Sequence, residues 1–239
     1  GKMPYVCLLL IVIKRNFIVK INIKKYIKTI TNMKLEDYIE KLETSHPFAL
    51  TRWGDGEWFN LNKKKGQNCD GNIYYEDLGD ELFKIVSEKQ NYHLGIQTLV
   101  GYSVSQSKKY PQDWVDADVF HKASSNGNLQ EFIGSLENSH VVYIGNESLK
   151  NLNFVNEFIE IPYNNCWLIK DEIIKNVEST FSDQTKVYLF SAGMATNYFI
   201  HELWNKNNKN IYIDVGSVFD PYVGRMTRSY HRNLKLKRP

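Results

Sequence analysis

The chain has 239 residues, of which 42% are hydrophobic and 24% charged, with 14 glycines and six prolines. This balance excludes disordered and collagen-like chains, and the length suits one generous domain or at most two small ones. The formal net charge of +3 is unevenly placed, because residues 1–32 hold seven Lys or Arg and no acid, whereas the other 207 residues hold 23 basic and 27 acidic side chains. A mildly acidic body lacks the basic stripe that neutralises phosphates, so we expect no nucleic-acid partner.

Residues 1–32 are interpreted as a basic and hydrophobic extension outside the domain. Their apolar run, Pro4 to Ile13, is shorter than the roughly 20 residues that cross a bilayer. No small-residue cleavage site follows it, which disfavours a secretory signal. Two readings stay open: a peripheral contact with a membrane surface, and residues upstream of a natural start at Met33. The second is favoured because normal acidic content begins at Met33, and one domain is therefore expected over residues 33–239.

The three cysteines, Cys7, Cys69 and Cys166, lie far apart and show no Cys-x-x-Cys or Cys/His spacing. They fit free thiols in a reducing compartment and exclude a structural zinc site.

From Met33 onward, hydrophobic periodicity predicts helices that alternate with short apolar strands. A helix over residues 35–42 ends before Pro47, and the run FALTRW (48–53) reads as a strand that enters a glycine-bounded turn, GDGE. Helices are then predicted over residues 80–90, 129–138 and 171–181, strands over 92–99 and 140–145, a strand-turn-helix unit over 186–206 and a last strand from 210. Residues 103–128 read as loops and short helices, residues 153–162 as short and mixed, and the tail from Arg225 as basic and irregular. Such alternation predicts a single Rossmann-like α/β domain, a mostly parallel sheet with helices on both faces.

The sharpest local feature is the segment Arg52-Trp53-Gly54-Asp55-Gly56-Glu57. Two carboxylates separated by one glycine can project toward one hard cation, because glycine lets the backbone fold tightly around it. Mg²⁺ or Mn²⁺ held by few carboxylates keeps positions open for diphosphate oxygens, and Arg52 adds a fork for the same phosphates. The alternative is an ordinary turn whose acids stay in water.

A second feature is the turn Ser191-Ala192-Gly193 ahead of a predicted helix. Its backbone N–H groups could receive an anion, although the segment lacks the full G-x-G-x-x-G spacing of a dinucleotide site. The alternative is a turn that packs helix closely on strand.

The end of the last strand and the tail hold a third set of charged residues: Asp214, Asp220, Arg225, Arg228 and His231. One of the acids could serve as general base, and the cations could neutralise a leaving diphosphate. The alternative is a solvated tail. Isolated polar residues such as Thr98, His121 and the Gly145-Asn146-Glu147 turn are read as caps, turns or satisfied polar groups rather than sites.

Taken together, these segments resemble the GT-D type glycosyltransferases, a family first described as a bacterial domain of unknown function. The motifs follow in the family's order: F-A-L-T-R-W-G-D-G-E, H-L-G-I-Q, V-V-Y-I-G, I-P-Y-N-N-C-W, L-F-S-A-G-M-A-T and I-D-V-G-S-V-F-D-P. The similarity runs from about Phe48 to His231. The chain departs from the family pattern at Ser217, where several relatives have His, and at Met194, where several have Pro.

The resemblance implies a glycosyltransferase of the hexosyltransferase type that uses a nucleotide sugar, and a UDP-linked sugar is the donor expected first. In it, Asp55 and Glu57 of the D-x-E motif would engage Mn²⁺ or Mg²⁺ and the diphosphate. Arg52 and Gly54, the turn Ser191-Ala192-Gly193, and the tail residues Arg228 and His231 would lie near the nucleotide. Asp220 is the first choice for general base and Asp214 the second.

Three function classes are weighed. The first is a metal-dependent glycosyltransferase that modifies a glycan or glycoprotein acceptor. The second is an S-adenosylmethionine-dependent methyltransferase that uses VVYIGNES as its first loop, and the third is a binding module that recognises a nucleotide or glycan without turnover. The need for nucleotide sugars and the missing cleavable signal predict a cytoplasmic protein with at most peripheral membrane contact; the oligomeric state stays open.

Overall fold

A computed structural model describes residues 30–31, 33–228 and 231 of the chain. Of the predicted extension, Ile30 and Thr31 alone fall within this part; the Thr31 N–H donates to the carbonyl of Trp114 at 3.0 Å. The reading of the other residues before Met33 therefore lies outside the described residues.

Seven strands form one sheet in the order β3-β2-β1-β7-β6-β4-β5, and every neighbouring pair in it is parallel. The strands are β1 (Phe48–Trp53), β2 (His93–Ile96), β3 (Val115–Asp116), β4 (Val141–Gly145), β5 (Glu157–Glu160), β6 (Val187–Phe190) and β7 (Ile211–Asp214). The sheet is thus more uniformly parallel than "mostly parallel" required, and the predicted α/β class is confirmed.

The helices of the described residues lie on both faces of this sheet. They are α1 (Leu35–Glu43), α2 (Asp55–Leu61), α3 (Glu76–Ser87), α4 (Gly101–Ser107), α5 (Val119–Asn126), α6 (Gln130–Glu137), α7 (Lys170–Glu178) and α8 (Thr196–Lys206). Short 3₁₀ turns follow β6 at Gly193–Ala195 and β7 at Asp220–Val223. None of these helices is long and apolar enough to cross a membrane.

Alternation along the strands divides the core into two layers. Ala49 and Trp53 of β1 pack with α2, α3, α7 and α8, whereas Phe48 and Leu50 pack with α1, α5 and α6. All six residues of β1 are buried, as expected of a central strand covered on both faces. Two polar residues of β1, Thr51 and Arg52, are buried together with its apolar residues.

The strand order reverses its direction of winding at one point in the sheet. The chain leaves β1 toward β2 on one side, and it reaches β7 from β6 on the other side. Ligands of open α/β sheets bind at the carboxyl ends of strands where the winding direction reverses in this way. Here that point lies between the ends of β1 and β7.

Two sequence-based interpretations need correction. The sequence predicts a turn at the D-G-E segment, but the segment forms the start of a helix, since α2 begins at Asp55. The Glu57 carboxylate accepts a hydrogen bond from the Gly54 N–H at 2.8 Å and so caps that helix. Residues 153–162 contain a strand, β5, which the sequence did not reveal because this edge strand is only partly buried and so lacks a continuous apolar run.

Candidate functional site

A cleft of about 520 Å³ opens at the reversal point of the sheet. Its walls come from the β1–α2 junction, the loop of residues 62–75, the end of β2, and the segments after β6 and β7. Seven of the predicted site residues line it: Arg52, Gly54, Asp55, Glu57, Gly193, Asp214 and Arg228. Residues predicted from three separate motifs therefore share one site.

The D-x-E segment forms the first turn of α2 and lines the cleft. The Glu57 Oε2 accepts from the Gly54 N–H at 2.8 Å, and the Asp55 Oδ1 accepts from the Gly56 N–H at 3.0 Å. Each carboxylate thus uses one oxygen to cap the helix. Asp55 is exposed and Glu57 is half-buried, so both acids remain accessible from the cleft.

Gly54 lies in close contact with two side chains of the cleft, those of Gln97 and Glu57. A Cβ at this position would lie 2.3 Å from Gln97 Oε1 and 3.2 Å from Glu57 Oε2. The glycine therefore brings the end of β2, where Gln97 lies, against the acidic turn.

Burial shifts the proton equilibria of two acids in the cleft. Loss of hydration raises the pKa of Glu57 to about 7, although backbone hydrogen bonds and Arg52 oppose the rise and Asp214 adds to it. Burial also raises the pKa of Asp214 to about 6 against the lowering effect of Arg52 and of the Gly216 N–H. Both acids therefore change charge near neutral pH.

Arg52 is a buried cation fixed beside Asp214. Its Nη1 lies 3.7 Å from Asp214 Oδ1, and its carbonyl accepts from Asn197 Nδ2 at 2.9 Å. Gly216 has a φ of +51°, and a Cβ there would lie 2.0 Å from Arg52 Nη1. The guanidinium consequently lies where any side chain at position 216 would have to go.

The turn after β6 is largely occupied by internal hydrogen bonds. The Ser191 hydroxyl donates to the Gly216 carbonyl at 2.6 Å and contacts the Tyr143 hydroxyl at 2.8 Å. The Ala192 N–H donates to Thr196 Oγ1 at 3.2 Å. Of the three predicted residues, Gly193 alone lines the cleft, at a φ of +59°. Ser191 and Ala192 support it from behind.

The C-terminal residues divide between the cleft and the core. Arg228 lines the cleft, where its guanidinium donates to both carboxylate oxygens of Asp70, at 2.7 and 2.6 Å. Asp220 is buried outside the lining and accepts a hydrogen bond from the Thr227 hydroxyl. His231 is also buried, and its Nδ1 accepts from the Arg228 N–H at 3.2 Å. Of the two predicted bases, Asp214 alone therefore reaches the cleft.

Several lining residues were not singled out as site residues from the sequence. They include Gln97, His121, Phe59, Asn68 and Tyr74. Gln97 directly follows β2, the strand beside β1, so the strand order was the signal that could have identified it. The sequence predicts an isolated polar residue at His121, whereas the structure places His121 in the lining of the cleft. Burial, followed by the charges of Arg52, His231 and Arg228, lowers its pKa well below 6.5.

The cleft offers few ligands for a metal ion. Within the described residues, no group of three His, Cys, Asp or Glu side chains converges on one point. Asp55 and Glu57 provide two carboxylates, each with one oxygen engaged by the helix. Mg²⁺ and Mn²⁺ are commonly held by one or two carboxylates together with substrate phosphates and water. The residues therefore fit a divalent ion that arrives with a phosphate ligand.

The loop proposed for a methyltransferase lies outside this cleft. After β4, the Asn146 side chain caps a 3₁₀ turn by accepting from the Ser148 N–H at 3.2 Å. Arg225 Nη1 donates to Asn146 Oδ1 at 2.7 Å and to Ser148 Oγ at 2.9 Å. The loop is thus occupied by the chain's own arginine.

The same fold occurs in solved structures of other proteins. One, described as a domain of unknown function 1792, aligns with a TM-score of 0.65 and 14% identity over 91% of this chain and 88% of its own. Another, described as having a distinct glycosyltransferase fold, aligns at 0.62 and 14% over 92% and 88%. A third, described as a new glycosyltransferase from Streptococcus sanguinis, aligns at 0.64 and 10% over 81% and 83%.

No protein-family model matches the chain, and no curated protein matches it. At such low identities the structural likeness establishes the fold alone, because one fold can carry unrelated activities. At that level, the resemblance to GT-D type proteins is confirmed.

Proposed function

We propose that the protein is a glycosyltransferase that uses a nucleoside-diphosphate sugar. The observation that carries this proposal is the convergence of Arg52, Asp55, Glu57 and Gly193 in one cleft at the reversal point of the sheet. The fold is shared with structures described as glycosyltransferases, which supports the same conclusion. A UDP-linked sugar is the donor we expect first.

The charges in the cleft suit a departing diphosphate. Arg52 lies buried at the end of β1 and presents a permanent cation. A Mn²⁺ or Mg²⁺ ion held by Asp55 and Glu57 would supply further positive charge to the leaving group. Groups fixed in place before the reaction stabilise charge that develops in the transition state without having to reorganise.

The transfer step needs one proton acceptor. The acceptor hydroxyl oxygen bonds to the anomeric carbon, while the bond from that carbon to the phosphate oxygen breaks and leaves its electron pair on the diphosphate. We assign the hydroxyl proton to the Asp214 carboxylate, because this acid lines the cleft and a pKa of about 6 leaves it mostly ionised at neutral pH. Asp220, bonded to Thr227 behind the lining, is less suitable.

Aromatic side chains in and beside the cleft support a glycan or glycoprotein as the acceptor. Phe59 and Tyr74 line the cleft, and Tyr102 of α4 lies against Phe59 with ring centroids 5.0 Å apart. Tyr102 is 37% exposed. Aromatic rings combine a broad apolar face with, in tyrosine, a polar tip, and sugar rings present matching surfaces.

Ligand-induced stabilisation tests the proposal directly. A ligand that binds the native state alone raises the melting temperature, so UDP, GDP, CDP and S-adenosylmethionine are each added with and without Mn²⁺. We expect a Mn²⁺-dependent rise with one nucleoside diphosphate. Asp55→Asn and Glu57→Gln should weaken its binding roughly tenfold or more, since charge-assisted contacts contribute about 1.5–3 kcal/mol each.

Asp183→Asn is the matched control, because Asp183 is exposed in the loop before β6, at the amino ends of the strands and away from the cleft at their carboxyl ends. It should bind as the wild type does. Binding that survives in both cleft variants would count against the proposal, and a metal-independent shift with S-adenosylmethionine would favour the methyltransferase. Nucleotide binding without release of sugar from any donor would leave a binding module as the better description.

A further inference from the structure

The Arg228–Asp70 pair is a charged contact across the cleft that the proposed function does not use. Arg228 belongs to the C-terminal tail, and Asp70 lies in the loop of residues 62–75. Two hydrogen bonds of 2.7 and 2.6 Å join the guanidinium to the two carboxylate oxygens. The side chains are 32% and 22% exposed, so the pair is partly shielded from water.

Both partners are held in place by their surroundings. The Asp70 N–H donates to Asn68 Oδ1 at 3.0 Å, and Asn68 Oδ1 also accepts from the Asn72 N–H at 2.9 Å. On the other side, Arg228 Nη1 also donates to the Thr227 carbonyl at 3.1 Å, and Thr227 is bonded through its hydroxyl to Asp220. The fork is therefore positioned before any ligand arrives.

An acid at position 70 is unexpected in a cleft that receives a diphosphate. The Asp, Glu, Lys and Arg side chains that line the cleft comprise four acids and three bases: Asp55, Glu57, Asp70, Asp214, Arg52, Lys64 and Arg228. The divalent ion of the proposed function would neutralise Asp55 and Glu57, and Arg52 lies 3.7 Å from Asp214. Asp70 remains, and its carboxylate occupies the guanidinium that would otherwise meet phosphate oxygens.

A guanidinium binds carboxylate and phosphate alike with two parallel hydrogen bonds. Resting on the proposed function, we infer that Asp70 substitutes for the donor's diphosphate in the free protein and yields the Arg228 fork to it on binding. Asp70 is then a positioning residue that acts through Arg228. Asp70 keeps the guanidinium of Arg228 aligned and compensates its positive charge. A ligand must therefore bind Arg228 more favourably than Asp70 does in order to displace it.

The test compares nucleotide dissociation constants in four proteins by calorimetry with Mn²⁺ present. UDP, GDP and CDP are titrated into the wild type, and the tightest binder is used for Asp70→Asn, Arg228→Gln and the double variant. Asp70→Asn should tighten binding about fivefold to tenfold, because the fork no longer has to leave a carboxylate. Arg228→Gln should weaken binding, and the double variant should match Arg228→Gln.

Equal affinities of Arg228→Gln and the double variant would distinguish exchange of the Arg228 fork from a general electrostatic effect of the Asp70 charge. If Asp70 acted through its negative charge alone, its removal would tighten binding in the Arg228→Gln background too, and this result would overturn the inference. Weaker or unchanged binding in Asp70→Asn would overturn it as well. Asp183→Asn controls for net charge and should leave the constant unchanged.

The failure of this inference is distinct from the failure of the proposed function. If the wild type binds none of the three nucleotides, the donor assignment fails and the exchange fails with it. If the wild type binds and Asp70→Asn does not bind more tightly, only the exchange fails. Melting temperatures without ligand confirm folding, and Asp70→Ser repeats the comparison should Asp70→Asn not fold.

Discussion

Glu57 and Asp214 couple the protonation of the cleft to the stability of the fold. Burial raises the pKa of Glu57 from 4.5 to about 7 and that of Asp214 from 3.8 to about 6. Between these limits the folded protein holds protons that the unfolded chain has released. The resulting stabilisation is complete below the unfolded pKa of each acid and is lost as pH rises through its folded pKa.

We therefore expect the free energy of unfolding to fall between about pH 4 and pH 7. For Glu57 the loss is on the order of 1–3 kcal/mol, after allowance for its partial exposure. Glu57→Gln keeps an oxygen for the Gly54 N–H but cannot ionise, so its stability should change less with pH. Urea denaturation at several pH values measures this, with Glu131→Gln, an exposed acid on α6, as the control. Equal pH slopes in Glu57→Gln and the wild type would contradict the assignment.

Gly216 offers a second test at the scale of single residues. Gly216→Ala adds a methyl group 2.0 Å from Arg52 Nη1 at a φ of +51°, whereas Gly224→Ala meets no atom within 4 Å at a φ of +80°. Both variants carry the cost of a left-handed backbone, about 1 kcal/mol. Only Gly216→Ala should also displace Arg52 and weaken nucleotide binding. Equal affinities in the two variants would show that Arg52 does not need its present position.

At the scale of elements, the acidic turn depends on how α2 packs. Trp58 of α2 is fully buried, with its ring centroid 5.0 Å from that of Trp53 in β1 and 5.9 Å from that of Trp114. On its other side α2 meets α3 closely, since a Cβ at Gly79 would lie 2.5 Å from the Asn60 carbonyl oxygen. The helix is seven residues long and owes its position to these contacts rather than to its own propensity.

Gly79→Ala should accordingly push α3 away from α2 and lower stability by about 1–3 kcal/mol, the usual cost of overpacking. Gly134→Ala is the matched control: Gly134 also lies within a helix, but a Cβ there meets no atom within 4 Å. It should be neutral or stabilise by about 0.4–1 kcal/mol, because alanine reduces the freedom of the unfolded chain. Thermal and chemical denaturation of the pair measure both. A Gly79→Ala protein as stable as Gly134→Ala would show that the helices can separate without cost.

At the scale of the whole molecule, strand order decides where the site lies. β1, β7 and β6 are neighbours at the centre of the sheet, so the segments that follow them meet at the carboxyl ends of the strands although they are far apart in the sequence. The partly buried β5 and the two-residue β3 are the outermost strands. Ligand binding should therefore protect segments at the carboxyl ends of the central strands.

Hydrogen exchange tests this expectation. Amides of β1, β6 and β7 should exchange most slowly and those of β3 and β5 fastest among the strands, because edge strands open at lower free energy. A bound nucleoside diphosphate with Mn²⁺ should protect residues 54–57 and 62–75 from exchange. It should leave the loops at the amino ends of the strands, around Ser45 and His140, unchanged. Protection of those loops would place the ligand elsewhere.

The sequence predicted the parts of this molecule that local pattern determines. FALTRW is predictable as a strand because it is a short, mostly apolar run that ends at a glycine, and the structure shows that all six of its residues are buried. The D-x-E motif marks the cleft because its glycine and acids are recognisable from the local sequence alone. Strand order, by contrast, depends on long-range pairing. Without it, Gln97 and His121 could not be brought to Arg52, nor Asp214 preferred to Asp220, and the Asp70–Arg228 pair joins residues 158 positions apart.

Cys69 lines the cleft next to Asp70 and is exposed, whereas Cys166 is buried beneath the turn that carries Gly193, its thiol donating to the Ala192 carbonyl at 3.2 Å. This difference turns Cys69 into a chemical handle. A thiol-reactive fluorophore attached there, in a protein with Cys7 replaced by serine, would place an optical reporter beside the bound ligand. Its emission would then follow occupancy of the cleft in real time, and acceptors could be screened without knowing which sugar is transferred.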